Sequence, residues 1–354
     1  LLFEIVNVEV VSGDLLQNGA VTSTTGDINL VANAGNITMN SGKNTTSTSG
    51  NVIYTAFNSV NLSTITTSGN VSVTATNGSI SDNLTSEDSN IIANVLTLSA
   101  KTGIGASGIA DIDTTVSSIT ISNTTSGDIY IQETDTLLIT SITQGGSGVV
   151  NVIVDSGNLV QNGAISSTSG NIILTASSGN ITMNSGKNTT STNGNIVYSA
   201  TNDVNVSVLS TSGNVTVTAD SNNDNVGKII DNLTGESANI IANLATLSAS
   251  TGIGTSSDEI DTDVTTISLI NDISGDIFVT EANALTISGI TSSGSSADTV
   301  IISDAGSITT TGAITSVSDV LIKAVGINSD IILGVALSSA GNISLNAGRK
   351  ITQN

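Results

Sequence analysis

The chain has no cysteine, proline, histidine or tryptophan, and only three Phe and three Tyr among 354 residues. Without histidine or cysteine, most activated-nucleophile and general-base schemes lose a member, so the expectation is a protein that is not an enzyme. So few aromatics exclude an ordinary globular core packed around large rings. The missing cysteines leave the compartment open, since secreted proteins use disulfides chiefly when they are too small to build a core. No apolar run approaches the roughly 18 residues that cross a bilayer, so no membrane span is expected. The opening Leu1-Leu2-Phe3-Glu4 does not read as a signal peptide. Positive charge is scarce as well: 7 Lys plus Arg stand against 29 Asp plus Glu, a net charge of -22, and Arg349 is the sole arginine. Such a surface repels phosphate backbones and anionic lipid, so nucleic acid is not an expected partner.

What is abundant is the alternation of Ile, Val, Leu and Ala with Thr, Ser and Asn, the composition of strands with one buried and one wet face. The chain also repeats itself. Residues 35–48 (GNITMNSGKNTTST) recur unchanged at 179–192, an offset of 179 − 35 = 144. After an insertion near 220–228 the offset becomes 231 − 82 = 149, where Asp82-Asn83-Leu84-Thr85 matches Asp231-Asn232-Leu233-Thr234. Three super-repeats follow: 1–150, 151–299 with the insertion, and 300–354 as the start of a third, in one continuous solenoid.

Within each super-repeat, Gly and then Asn or Asp leads into an apolar-polar-apolar triplet, as in Gly26-Asp27-Ile28-Asn29-Leu30, Gly35-Asn36-Ile37-Thr38-Met39 and Gly69-Asn70-Val71-Ser72-Val73. Strand alternation places Ile28, Leu30, Ile37, Met39, Val71, Val73, Ile129 and Ile131 inside, and Asn29, Thr38, Ser72 and Tyr130 outside. The Gly-Asn pair is expected to turn the corner through positive φ. Alternate corners lie 35 − 13 = 22, 50 − 26 = 24 and 69 − 50 = 19 residues apart, one coil each. At roughly 4.8 Å per coil the chain makes about 16 coils, an elongated parallel β-helix on the order of 75 Å long.

The chained units, such as Ser169-Gly170-Asn171-Ile172-Ile173-Leu174-Thr175-Ala176, resemble the repetitive shaft of filamentous-haemagglutinin-like large exoproteins, over nearly the whole chain. That resemblance implies a right-handed parallel β-helix exported by two-partner secretion, and an extracellular or cell-surface location. The family's amino-terminal secretion domain, with its Asn-Pro motif, has no counterpart in a chain without proline.

Several residues could carry chemistry. Asp220, Asn222 and Asp224, with Asp231 at the twelfth position, place oxygens in an EF-hand-like pattern that would suit Ca2+, although Asn225 stands where that loop has glycine. Asp111 with Asp113, and Glu259 with Asp261, lie two apart on one strand face, an arrangement read as a solvated acidic edge because pairing such charges costs repulsion unless a cation bridges them. Glu133 with Asp135 and Glu87 with Asp88 are the carboxylate pairs a hydrolase would have to use. Asn-x-Ser/Thr sequons such as Asn36, Asn70 and Asn214 follow from composition. Thr216 and Thr218 invite an ice-binding reading, which the irregular corner spacing disfavours.

The function expected is a structural and adhesive shaft of a secreted cell-surface protein or extracellular filament. The alternatives are a Ca2+-dependent carbohydrate-binding module and a polysaccharide-degrading β-helix enzyme. Expected partners are further copies of the chain stacked end to end, or a longer chain, together with glycans or proteins on a host or neighbouring cell. Both ends, from Asn7-Val8 to Gly341–Asn354, read as corner-strand units without a cap.

Overall fold

The computed structural model describes residues 5–294 and 297–354, and the chain is all-β: a parallel β-solenoid of about 16 turns. No helix among the described residues is long and apolar enough to cross a membrane. The chain falls into two compact units, residues 1–174 and 175–354.

In the first unit each turn carries three strands, and each strand pairs with its counterpart one turn away. One face stacks Val6–Val10, Ile28–Ala32, Val52–Ala56 and Val71–Ala75 in strict register, Ile28 opposite Val52 opposite Val71. A second stacks Leu15–Gln17, Ile37–Met39, Val60–Leu62 and Ile80–Asp82. The third stacks Val21–Ser23, Asn44–Ser47 and Thr64–Thr67. The alternation works as the triplets require: Ile28, Leu30, Ile37, Met39, Val71, Val73, Ile129 and Ile131 are buried, whereas Asn29, Thr38, Ser72 and Tyr130 are part-exposed. The core is not entirely without aromatics. Tyr54 is fully buried, with its hydroxyl 2.5 Å from Thr45 Oγ1 and donating to Gln17 Oε1 at 2.9 Å, and Tyr198 is buried 2.6 Å from Thr189 Oγ1.

The positive-φ turn expected of Gly-Asn is found at some corners, with Gly157 before Asn158 and Gly13 and Gly127 before Asp14 and Asp128, but not at others. Among the described residues, the non-glycine positive-φ positions are Asp220, Asn223 and Asn225, and neither Gly35 nor Gly50 has positive φ. Glycine is needed because turns touch there: a Cβ on Gly50 would lie 2.1 Å from the Gly26 carbonyl oxygen. The buried Ser47 hydroxyl then ties the corner, accepting from Gly50 N at 3.0 Å and donating to Gly26 O at 2.9 Å. Asn and Asp follow because their side-chain oxygen accepts the backbone N–H of the next turn. Asp14 takes Asn36 N at 2.8 Å, Asn36 takes Ser59 N at 3.0 Å, Asp27 takes Asn51 N at 2.7 Å and Asn51 takes Asn70 N at 3.0 Å. The side chain thereby continues the ladder where the backbone bends away from it.

Near the end of each super-repeat the faces exchange. The strand Ile112–Asn123 meets two partners: Ile112–Thr114 pairs with Ile131–Glu133, while Ser118–Asn123 pairs along Leu137–Gln144 through one register shift. Leu137–Gln144 then hands Leu137–Ile139 to Leu159–Gln161 and Ile142–Gln144 to Ile165–Ser167. One face thus divides into two. The other two merge on Ile129–Glu133, which receives both the Ile80–Ile104–Ile129 bridges and the Ile112–Thr114 ladder before pairing with Val150–Val154. The second unit repeats the manoeuvre with Ile260–Asn271, Ile277–Glu281 and Leu285–Ser292, 260 − 112 = 148 residues later.

Candidate metal centre

The acidic pairs stand where the exchange strands begin, and here strand alternation breaks. Ile112, Asp113 and Thr114 are all buried, as are Ile260, Asp261 and Thr262. The outward position is covered by the preceding connection, residues 83–90, whose last residue clamps it. The fully buried Asn90 donates its N–H to Asp113 O at 2.9 Å and accepts Asp113 N on its Oδ1 at 3.0 Å. Its Nδ2 reaches Asp82 Oδ1 at 2.5 Å, and Leu84 N donates to the same oxygen at 2.7 Å. Asn239 makes the same clamp on Asp261, with both backbone bonds at 2.8 Å and Nδ2 2.5 Å from Asp231 Oδ1.

The covering loop delivers Glu87 to Asp111 and Asp113, so that one oxygen from each lies within 4.8 Å of the others, and Glu236, Glu259 and Asp261 gather in the same way. The solvated acidic edge expected of these pairs is therefore corrected: Asp111, Asp113 and Asp261 are 6%, 5% and 8% exposed. Asp113 and Asp261 lie on the strands while Asp111 and Glu259 just precede them, and a strand period says nothing about a loop folding over that face. Burial, followed by Asp111, Glu87, Asp82 and Asp155, pushes Asp113 up to about 7. Burial, followed by Glu87, Asp82 and Asp155, pushes Asp111 up to about 6. Asp261 rises to about 7, first from burial and then from Glu236, Glu259, Asp231 and Asp304. Every charged group named here is acidic.

The insertion places its residues otherwise. Asp220 is buried, and its carboxylate accepts Asp224 N at 2.8 Å, Asn225 N at 3.1 Å and the Ser250 hydroxyl. Asn222 Nδ2 donates to Asp224 Oδ2 at 2.9 Å, and Val226 N donates to Asp224 Oδ1 at 3.3 Å. Asp231 sits on the strand Ile229–Asp231, bonded to Leu233 N and Asn239, with burial raising its carboxyl. None of these carboxylates belongs to a group of three among the described residues.

The remaining acidic pairs separate. Glu87 joins the cluster, while Asp88 accepts from its neighbour Ser86 at 2.7 Å. Glu133 is fully buried and accepts Thr114 Oγ1 at 2.7 Å and Val116 N at 3.1 Å, and Asp135 is exposed. Glu281 repeats this with Thr262 at 2.8 Å and Val264 N at 3.1 Å. These glutamates supply the acceptor that the backbone loses where one strand changes partners.

Sequence reasoning did not join Glu87 to Asp113 or Glu236 to Asp261. The signal was present: 113 − 87 = 26 and 261 − 236 = 25, each close to one coil. Comparison with protein-family models, curated proteins and solved structures gives no match for the chain.

Proposed function

We propose that the chain is a non-catalytic, structural and adhesive shaft of a secreted cell-surface protein or extracellular filament, of the kind its repeats resemble in filamentous-haemagglutinin-like exoproteins. One observation carries this reading: polar side chains along the corners are committed to bonding one turn to the next. The Asp14–Asn36–Ser59 and Asp27–Asn51–Asn70 series in the first unit have counterparts in the second, where Asp298 accepts Asp319 N at 3.2 Å and Asp319 accepts Asn342 N at 2.7 Å. A chain that spends its polar groups on stacking is built to extend itself and present a repeated exterior. The partners proposed with it are further copies of the chain and glycans or proteins on a facing cell. Antibody labelling of intact source cells tests the proposal. Surface signal that is removed by protease treatment of intact cells is the expected result, and signal only after permeabilisation would overturn it.

Ca2+-dependent carbohydrate binding is the second reading, favoured by one feature. Phe278 stands between a cleft of about 340 Å3, lined also by Lys228 and Asp276, and one of about 150 Å3 lined also by Glu259 of the second acidic cluster. An aromatic face flanked by charged groups suits a sugar ring. Under this reading a glycan array probed with Ca2+ should give hits that Phe278→Ala abolishes. Hits that persist in the variant would count against it.

A further inference from the structure

We propose that Glu87, Asp111 and Asp113 bind a calcium ion at the point where the first super-repeat exchanges its faces, and that Glu236, Glu259 and Asp261 bind a second at the equivalent point of the next. The site goes beyond the shaft reading and does not depend on it.

The geometry carries the assignment. The three carboxylates of the first cluster bring an oxygen each within 4.8 Å of one another. Asp111 and Asp113 are more than nine-tenths buried, and among the described residues Asp111 Oδ1 and Asp113 Oδ2 have no hydrogen-bond partner. Asp82 holds a third buried oxygen without a partner among the described residues, its Oδ2, while its Oδ1 is fixed by Leu84 N and Asn90. Buried carboxylate oxygens of this kind are normally paired, because desolvating a charge without compensation is among the costliest arrangements in a folded chain. Among the described residues the one donor that eases them is the backbone N–H of Asp111 on its own carboxyl, and the charged groups acting on both residues are Glu87, Asp82 and Asp155, all acidic. A cation is the group that such a set lacks.

The donors are all oxygen, supplied by a loop and a strand end, with neither histidine nor cysteine anywhere in the chain. That disfavours zinc and copper and suits a hard cation. Calcium accepts irregular carboxylate sets at 2.3–2.6 Å, whereas magnesium demands a near-ideal octahedron. The recurrence of the loop, the Asn clamp and the acidic pair about 148 residues later shows that the arrangement belongs to the super-repeat. The two sites are not equal. Glu259 replaces Asp111, is half-buried, and already accepts the Thr280 hydroxyl at 3.1 Å. The first site should therefore be the tighter. An ion there would staple residues 83–90 to the following turn exactly where the ladder changes partners.

The test is calorimetric titration of the whole chain, stripped with EDTA and desalted, with CaCl2 at pH 7.5. Two sites per chain are expected, the tighter of them weakened at least about tenfold in the Glu87→Gln/Asp113→Asn double variant. Asp224→Asn, in the insertion, should leave both sites intact, and MgCl2 should compete weakly. Hydrogen exchange on the wild-type chain provides a reading that does not depend on a variant folding: Ca2+ should slow exchange at residues 83–90. No heat with a folded chain, titration unchanged in the double variant, or loss of binding in Asp224→Asn would each overturn the proposal, as would Ca2+ that leaves exchange at residues 83–90 unaltered.

Discussion

Replacing Gly50 by Ala should cost roughly 3 kcal/mol or more, a large effect for one methyl group. The added Cβ would lie 2.1 Å from Gly26 O, 2.3 Å from Gly26 C and 2.7 Å from Asp27 N, all backbone atoms of the neighbouring turn that cannot swing aside. The two turns would have to part. That strains the Ile28–Val52 ladder, the Ile28 N to Asn51 O bond of 2.9 Å and the Ser47 tie to Gly26 at 2.9 Å. Because stability in a solenoid is a sum over neighbouring turns, the damage should stay local and appear as new protease sensitivity near residue 50. Gly19 is the control, since a Cβ there meets nothing within 4 Å and its φ is not positive. Gly19→Ala should stay within about 0.5 kcal/mol of wild type. Urea unfolding of the two variants side by side decides the matter, and equal midpoints would refute the close-approach account.

The second large effect concerns pH. Glu133 is fully buried, and burial pushes it up to about 7, against the Thr114 hydroxyl and the Val116 and Asp135 N–H groups, which favour the ionised form; the Asp135 carboxylate adds to the rise. A carboxyl whose folded value is raised binds a proton that the unfolded chain has already released. Its contribution to stability is fully present below the unfolded value near 4.5 and is lost as pH rises to about 7. For one group the loss is roughly 3 kcal/mol. Measured in EDTA, the stability of wild type relative to Glu133→Gln should therefore decline across that window and level off above it. A difference that stays flat from pH 4.5 to 8 would mean that Glu133 does not titrate in this range. Glu281, raised by burial in the same setting, should act in the same direction.

Much of the fold is legible residue by residue. The triplet Ile28-Asn29-Leu30 announces its burial pattern, and the return of residues 35–48 at 179–192 announces stacking. The corner was legible only in part. Gly and Asn are turn residues by habit, yet Gly50 is there to let two backbones meet and Asn51 to accept Asn70 N, and both reasons lie one turn away in space. The candidate site was least legible. Asp111 and Asp113 stood out as a pair, but Glu87 had no reason to be joined to them until the loop of residues 83–90 was seen over the strand. The oxygen-rich insertion drew attention by its spacing, and in the fold Asp220 bonds the backbone of its own loop.

Sequence alone determined the strand period, the all-β class and the stacked architecture, because these depend on contacts that recur at every turn and so leave a periodic trace. It also determined the acidic balance and the absence of histidine and cysteine, which limit any bound metal to oxygen ligands. Tertiary structure alone decided where one face divides and two merge, since Ile112–Asn123 reads as an ordinary strand until its two sets of partners are seen. It alone decided that Asp113 is buried and Glu133 bonded to the backbone. Those features arise once per super-repeat, from residues about one turn apart whose meeting depends on how a loop folds, and a contact made once leaves no period to read.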